Sequence, residues 1–270
     1  MKKRIRGYFL MMVALSVLPT VLFAASPLII LDSGHDPLHP GARAVCGEFE
    51  YVYNDRIVAD FLKTTSAHVL LTRELGNPPA LPGAGNTFSG NRQTLKTSLQ
   101  ARTELANSNN GDLLISIHHD SVARRFIVFD KKLCGGKGGH KIAPEFRKKH
   151  AIGFNVFVHQ EANNPHYPDS LRFAKLVSEE LLALGREPST YHYFPEDDCR
   201  SCRPVIREMG IWHQQLYVLR QAQMPAVLIE VGNIIDVEDE ARINTAPFRF
   251  QFARALDKAV SRYFSGKPAH

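Results

Sequence analysis

The sequence predicts an α/β protein built on an open, mostly parallel twisted sheet with helices on both faces. Three observations carry this. Strand-like and helix-like runs alternate along the chain, the pattern that a parallel sheet with crossover helices requires. The first run, Pro27–Asp32 (PLIILD), is apolar almost throughout, as expected of a strand covered on both faces. Residues with chemistry to offer cluster where such runs stop, and open α/β sheets bind ligands outside the carboxyl ends of their strands.

The elements follow in order. From Asn54 to Thr65, Ile57, Val58, Phe61 and Leu62 recur at helical spacing, with Asn54 as a candidate cap. Val69–Thr72 reads as a second strand. Pro78–Asn91, rich in Pro, Gly and Asn, is longer than a simple connection, as functional loops often are. Thr97–Asn107 reads as a helix leading to the strand Asp112–Ile117. Arg124–Gly153 carries Lys131, Lys132, four glycines between Gly135 and Gly139, and the basic run Arg147–His150. It is expected to be a loop-rich insertion, and its position directly after a strand end suits control of access to a cleft. The sheet resumes with Phe154–His159, and Asp169 or Ser170 caps an amphipathic helix reaching Leu184 and stopped by Gly185. A polar stretch to Pro204, a helix around Gln214–Gln221, the strand Ala226–Val231 and a helix Phe248–Phe264 complete the pattern. There is no linker and no repeat, so residues 26–270 are read as one domain.

Residues 1–25 stand apart. Lys2, Lys3, Arg4 and Arg6 precede an apolar stretch from Tyr8 to Phe23, and Ala24-Ala25-Ser26 offers small residues for cleavage. This is the form of a secretory signal peptide rather than an uncleaved anchor, and no cysteine at the junction suggests a lipoprotein. The expected location is outside the cytoplasm, in the periplasm or cell envelope. Of the formal charge of +6, four positives belong to this segment, which leaves +2 on the remainder. Nucleic acid is therefore not an expected partner, since no basic stripe with interleaved aromatics remains. The four cysteines, Cys46, Cys134, Cys199 and Cys202, favour disulfides in an oxidising compartment, with three connectivities open. The competing reading of Cys199-Arg-Ser-Cys202 is a redox or zinc pair, although no second such pair follows.

The chemistry lies at four positions. His35 follows the first strand, Glu50 lies beyond a glycine loop, His118 ends Ile115-Ser-Ile-His118, and Glu230 sits within Val227-Leu-Ile-Glu-Val231. Two imidazoles and a carboxylate suit a zinc ion that keeps a position open for water, and a further carboxylate suits the base such a water needs. Glu230 is hard to explain otherwise, because an unpaired carboxylate is costly to bury in so apolar a run. His119 competes with His118 as ligand, and adjacent strand residues face opposite ways, so only one can serve. Glu48 competes similarly with Glu50. Arg73 and Arg102 are candidates for binding substrate, against ordinary salt bridges. From the residues alone, the reading is zinc-dependent amide hydrolysis.

The motifs together resemble the zinc-dependent N-acetylmuramoyl-L-alanine amidases that split septal peptidoglycan. Leu31-Asp-Ser-Gly-His35 with Pro40-Gly-Ala42 is similar to that family's first motif, and Glu50-Tyr-Val-Tyr-Asn54 to its second. Leu71-Thr-Arg73, Arg102, Ala106-Asn107 and Ser116-Ile-His118 follow its next blocks, and Pro225–Gly232 resembles its last. Ser33, His119, Asp120 and Asn233 depart from the usual residues, and none of these removes a ligand. The resemblance implies one zinc per chain on His35, Glu50 and His118, with Glu230 as general base and then acid. It implies peptidoglycan as substrate, cut between the muramyl lactyl group and L-alanine; no particular activator protein is indicated. The readings this leaves as competitors are another exported zinc amidohydrolase on a peptide or acyl amino acid, a non-catalytic wall-binding protein, and a redox protein using Cys199 and Cys202.

Overall fold

A computed structural model describes residues 26–80, 92–147, 152–160, 164–193 and 202–266. The expected signal peptide, most of the loop 78–91, the end of the basic run 147–150 and Cys199 lie outside the described residues.

The first strand, β1 (Leu28–Ser33), is followed by α1 (Glu50–Thr64), β2 (His68–Leu71), α2 (Arg92–Ser108) and β3 (Leu113–Asp120). Between β3 and the next strand of the main sheet lie β4 (Ile127–Asp130), β5 (Gly139–Ile142) and the single turn α3 (Pro144–Arg147). The chain continues through β6 (Asn155–Val158), α4 (Tyr167–Ala183), β7 (Arg203–Ile206), β8 (Ile211–His213) and α5 (Tyr217–Gln221). It closes with β9 (Ala226–Asn233), α6 (Val237–Ile243) and α7 (Ala246–Ser265). Seven strands form one sheet in the order β2-β1-β3-β9-β6-β8-β7. Its first four run parallel, as expected, whereas β6 pairs antiparallel with β9 and β7 pairs antiparallel with β8.

Both faces of the sheet are covered, which is why β1 is apolar at consecutive positions. Ile29 and Leu31 enter a core with Phe61 of α1, Phe173 of α4, and Phe252 and Tyr263 of α7. Ile30 points the other way, into a smaller core with Leu114, Phe157, Trp212 and Leu228 from the sheet, Ala106 of α2, and Val218 and Leu219 of α5. Each fully buried side chain of this size stabilises by about 1.5–3 kcal/mol through removal from water.

Several boundaries differ from the sequence expectation, each for a local reason. The helix expected from Asn54 begins four residues earlier, at Glu50, with Phe49 as its cap residue. Asn54 is buried one turn into α1, and its side chain is spent elsewhere: Nδ2 donates to the Gly34 carbonyl at 2.9 Å and Oδ1 faces His119 Nδ1 at 2.7 Å. Likewise α4 starts at Tyr167 with His166 before it, and Gly185 takes the positive φ of 70° expected of a helix stop. The insertion is more ordered than expected, since β4 and β5 form a separate antiparallel hairpin. Cys46 and Cys134 join it by a disulfide to the loop before α1, and the backbone bonds His140 N to Val45 O (2.9 Å) and Ile142 N to Ile235 O (3.3 Å) fix it further.

Candidate active site and metal centre

His35 leaves the end of β1 at a φ of +60°, an unfavourable backbone for a residue with a β-carbon. Two buried arginines hold it there. The carbonyl of His35 accepts from Arg73 Nε at 2.8 Å and from Arg102 Nη2 at 2.5 Å, and the Ser33 carbonyl accepts from both arginines as well. Arg102 also pairs with Asp32 (2.8 Å) and Asp36 (3.2 Å), and Arg73 with Asp55 (2.5 Å). These guanidiniums are fully engaged beneath the loop, with side-chain exposures of 3% and 0%. Of the two readings of Arg73 and Arg102, the ion pairs are present in the structure, and Arg102 also lines the cavity beside His35 and His118.

The imidazole of His35 is oriented by its own turn. Nδ1 lies 3.1 Å from the His39 carbonyl, which can only accept, so Nδ1 donates there and Nε2 is the nitrogen turned toward the cluster. That Nε2 points at Glu50 Oε1, 3.2 Å away, and His118 Nδ1 approaches the same oxygen at 3.2 Å. Glu50 is the first residue of α1, where the helix end favours a negative charge, and its Oε2 accepts from the Ala42 amide at 3.1 Å. One ligand atom from each of His35, Glu50 and His118 lies within 4.8 Å of the others. Two glycines make room for them: a β-carbon on Gly34 would sit 2.2 Å from His118 Nε2, and one on Gly41 2.5 Å from Glu50 Oε2.

Electrostatics follow from burial and proximity. Burial pushes the Glu50 carboxyl up, but His35 and His118 outweigh it and hold the group well below the usual carboxylate range. His35 is opposed by burial and raised by Glu50, whereas burial and the charge of His35 carry His118 downward. A small N,N,O donor set converging on one point, with one imidazole oriented through its far nitrogen, fits a divalent ion such as zinc.

The two sequence competitors are placed elsewhere. His119 faces the opposite side of β3, buried against Asn54, and burial pushes it down to about 3, so it is neutral. It pins α1 to β3 rather than joining the ligand cluster. Glu48 forms a two-pronged pair with Arg56 at 2.6 and 2.7 Å.

Glu230 stands in register with His118 on the neighbouring strand β9. Burial first, then the charges of Asp120 and Glu50, push its carboxyl well above the usual range, with His192 acting in the opposite sense. Its Oε2 is buried and has no hydrogen-bond partner among the described residues. His192 lies 3.4 Å from Asp120 and edge-on to Phe157 and Trp212. Sequence reasoning singled out neither His192 nor Asn155, the cross-strand neighbour of Glu230 on β6; both depend on long-range pairing, and His192 carries only the weak signal of a histidine near an aromatic pair. A cavity of about 220 Å³ opens beside His35 and His118, between Leu95 and Leu99 of α2 and Leu216, Tyr217 and Val218 at α5.

Cys46 pairs with Cys134, and Cys202 is also disulfide-bonded.

Comparison with known proteins agrees with this architecture. The chain is 24% identical over 251 residues to an uncharacterized cell wall amidase of Bacillus anthracis, covering 91% of this chain and 37% of that protein. It is 24% identical over 252 residues to a probable N-acetylmuramoyl-L-alanine amidase, AmiB, of Haemophilus influenzae, covering 91% of this chain and 54% of the other. The chain thus spans about a third to a half of the length of these two curated relatives. The crystal structure of an N-acetylmuramoyl-L-alanine amidase from Clostridium difficile 630 superposes with a TM-score of 0.60 at 19% identity, covering 91% of this chain and all of that one, a likeness of fold. Residues 29–262, nearly everything after the amino-terminal segment, match the N-acetylmuramoyl-L-alanine amidase family Amidase_3, and the chain belongs to that family.

Proposed function

We propose that this protein is an exported, zinc-dependent peptidoglycan amidase that hydrolyses the amide between N-acetylmuramic acid and the L-alanine of the stem peptide. One observation carries the reading: His118 of the His35, Glu50 and His118 cluster lies in register with Glu230, a partly buried carboxylate whose buried Oε2 has no hydrogen-bond partner among the described residues. Family membership supplies the bond and the polymer.

In this reading His35, Glu50 and His118 hold zinc, which when bound supplies Lewis acidity toward the scissile carbonyl and lowers the pKa of water. Glu230 takes a proton from the attacking water as its oxygen bonds to the carbonyl carbon. The same carboxyl then returns that proton to the leaving amine as the C–N bond breaks. Its raised affinity for a proton suits both halves, because a base poised nearer neutrality also makes a competent acid. Arg73 and Arg102 keep the His35 backbone in its strained form. The export half of the proposal rests on residues 1–25 and on the disulfides, which persist in oxidising compartments. Among the described residues no helix is long and apolar enough to cross a membrane.

The test is elemental analysis of the purified protein lacking residues 1–25, together with digestion of defined muropeptides. One zinc per chain and release of free stem peptide are expected, with both lost in His35→Ala and His118→Ala. Full zinc retention by His35→Ala would overturn the ligand assignment, and cleavage elsewhere in the muropeptide would overturn the substrate.

A further inference from the structure

Asn155 is a fully buried amide at the start of β6, paired across the antiparallel ladder with Glu230 of β9. Directly paired residues of an antiparallel ladder project to the same face with β-carbons about 4.5–5.5 Å apart. Each has an orphan atom. Asn155 Nδ2 and Glu230 Oε2 are both buried, and neither has a hydrogen-bond partner among the described residues. One is a donor and the other an acceptor.

The orientation of the amide is fixed from behind. Trp212 of β8 places its indole Nε1 3.0 Å from Asn155 Oδ1. An indole nitrogen can only donate, so the atom it meets must be the amide oxygen, and the NH2 group has to be the end left without a partner. Trp212 is itself locked, 1% exposed and packed in the core formed by Phe157 and Leu228. A buried NH2 with no acceptor carries a standing cost, which a fold tolerates where the group has work to do.

We propose that Asn155 is a positioning residue for Glu230. Its NH2, aimed by Trp212, donates to the ionised Glu230 carboxylate and turns the second carboxyl oxygen toward the cleft. A hydrogen bond to the charged form favours that form, so the donor holds the carboxylate both oriented and ionised. This rests on Glu230 being the general base of the proposed amidase.

The experiment compares wild type, Asn155→Ala, Asn155→Ser and Trp212→Phe on a soluble muropeptide, with zinc content measured throughout. For Asn155→Ala we expect kcat lower by about tenfold, the worth of one hydrogen bond to a charged group. KM and zinc content should stay within twofold, and the acid limb of the kcat profile should move to higher pH. Asn155→Ser retains a donor and should recover part of the loss, and Trp212→Phe frees the amide to flip and should reproduce the upward shift of that limb. Should Asn155→Ala not fold, Asn155→Ser and Trp212→Phe decide the matter alone. Folded, zinc-loaded variants with an unmoved pH limb would overturn the role of Asn155. An inactive wild type would instead overturn the amidase reading, and a fully active Glu230→Gln would overturn the assignment of Glu230 as general base.

Discussion

In the proposed mechanism Glu230 and the cluster of His35, Glu50 and His118 divide the chemistry between them, and single substitutions should separate the two. Glu230→Gln keeps the shape of the side chain but cannot take a proton. Zinc content should be unchanged and turnover on muropeptides should fall by about 10² or more, the usual contribution of a general base. Activity within a few-fold of wild type would move that role to another group. A second residue-scale prediction concerns Asp32, buried beneath the His35 loop. Burial pushes its carboxyl up, but the charge of Arg102 and hydrogen bonds from Ser116, Thr72 and Arg102 prevail, holding it far below the usual range. A group whose folded pKa is depressed contributes stability that is present above its unfolded pKa, near ~4, and lost as pH falls below it. Urea midpoints should therefore drop steeply between about pH 4 and 2 in wild type, and the slope should be shallower in Asp32→Asn, at a lower starting stability. Equal slopes would mean that the Arg102 cluster does not contribute to acid sensitivity. Arg102→Met should cost about 3–5 kcal/mol, because it leaves Asp32 and Asp36 buried without their cation.

Among the elements, the hairpin β4–β5 departs most from the sequence reading. A glycine-rich, basic segment suggested a loop over the cleft, because glycines at positive φ, such as Gly135 and Gly138, look the same in a mobile loop and in a tight hairpin. The hairpin is bonded to Val45 and Ile235 and bridged through Cys134 to Cys46, four residues before Glu50. The geometry makes it a brace for the loop that presents Glu50. The bridge closes a loop of sequence separation 88, and the chain-entropy estimate for such a loop is about 4.6 kcal/mol. Replacing Cys46 and Cys134 by Ser should lower Tm and speed zinc loss to a chelator several-fold, while leaving the cleaved bond unchanged. A variant with lower Tm but wild-type chelation kinetics would restrict the bridge to global stability. The start of α1 teaches a related point. Its first turn was hidden because Glu50, Tyr53 and Asn54 are buried for the site's sake, so the apolar period that marks a helix begins only at Ile57.

At the scale of the whole molecule, the fold class was legible because it depends on local pattern, whereas the choice of Glu50 over Glu48 rested on the motif resemblance. Apolar runs such as Leu28–Leu31 and Leu113–Ile117 declare themselves, and the polar residues that interrupt or end them, His35, His118 and Glu230, gather at one edge of the sheet because parallel strands end together. The direction of β6 was not legible, since four apolar residues read alike either way, and the pairing of Asn155 with Glu230 depends on that direction. The edge strand β7 and its neighbour β8 were hidden too, being only four and three residues long. The cluster joins β1, α1 and β3, elements separated by up to 83 positions in the chain, so an ion bound there ties the sheet to its covering helix and can bind only the folded form. Zinc held at a hundredfold over its Kd should add about 2.7 kcal/mol, which for a domain of this size raises Tm by about 5–10 °C. A chelator should remove that increment, and zinc, more than magnesium, should restore it, given the imidazole ligands. His118→Ala should melt at the same temperature with and without chelator. Equal melting of the wild type in chelator and in zinc would mean that the three side chains meet without serving as a metal centre, and the hydrolytic reading would have to find another source for its activated water.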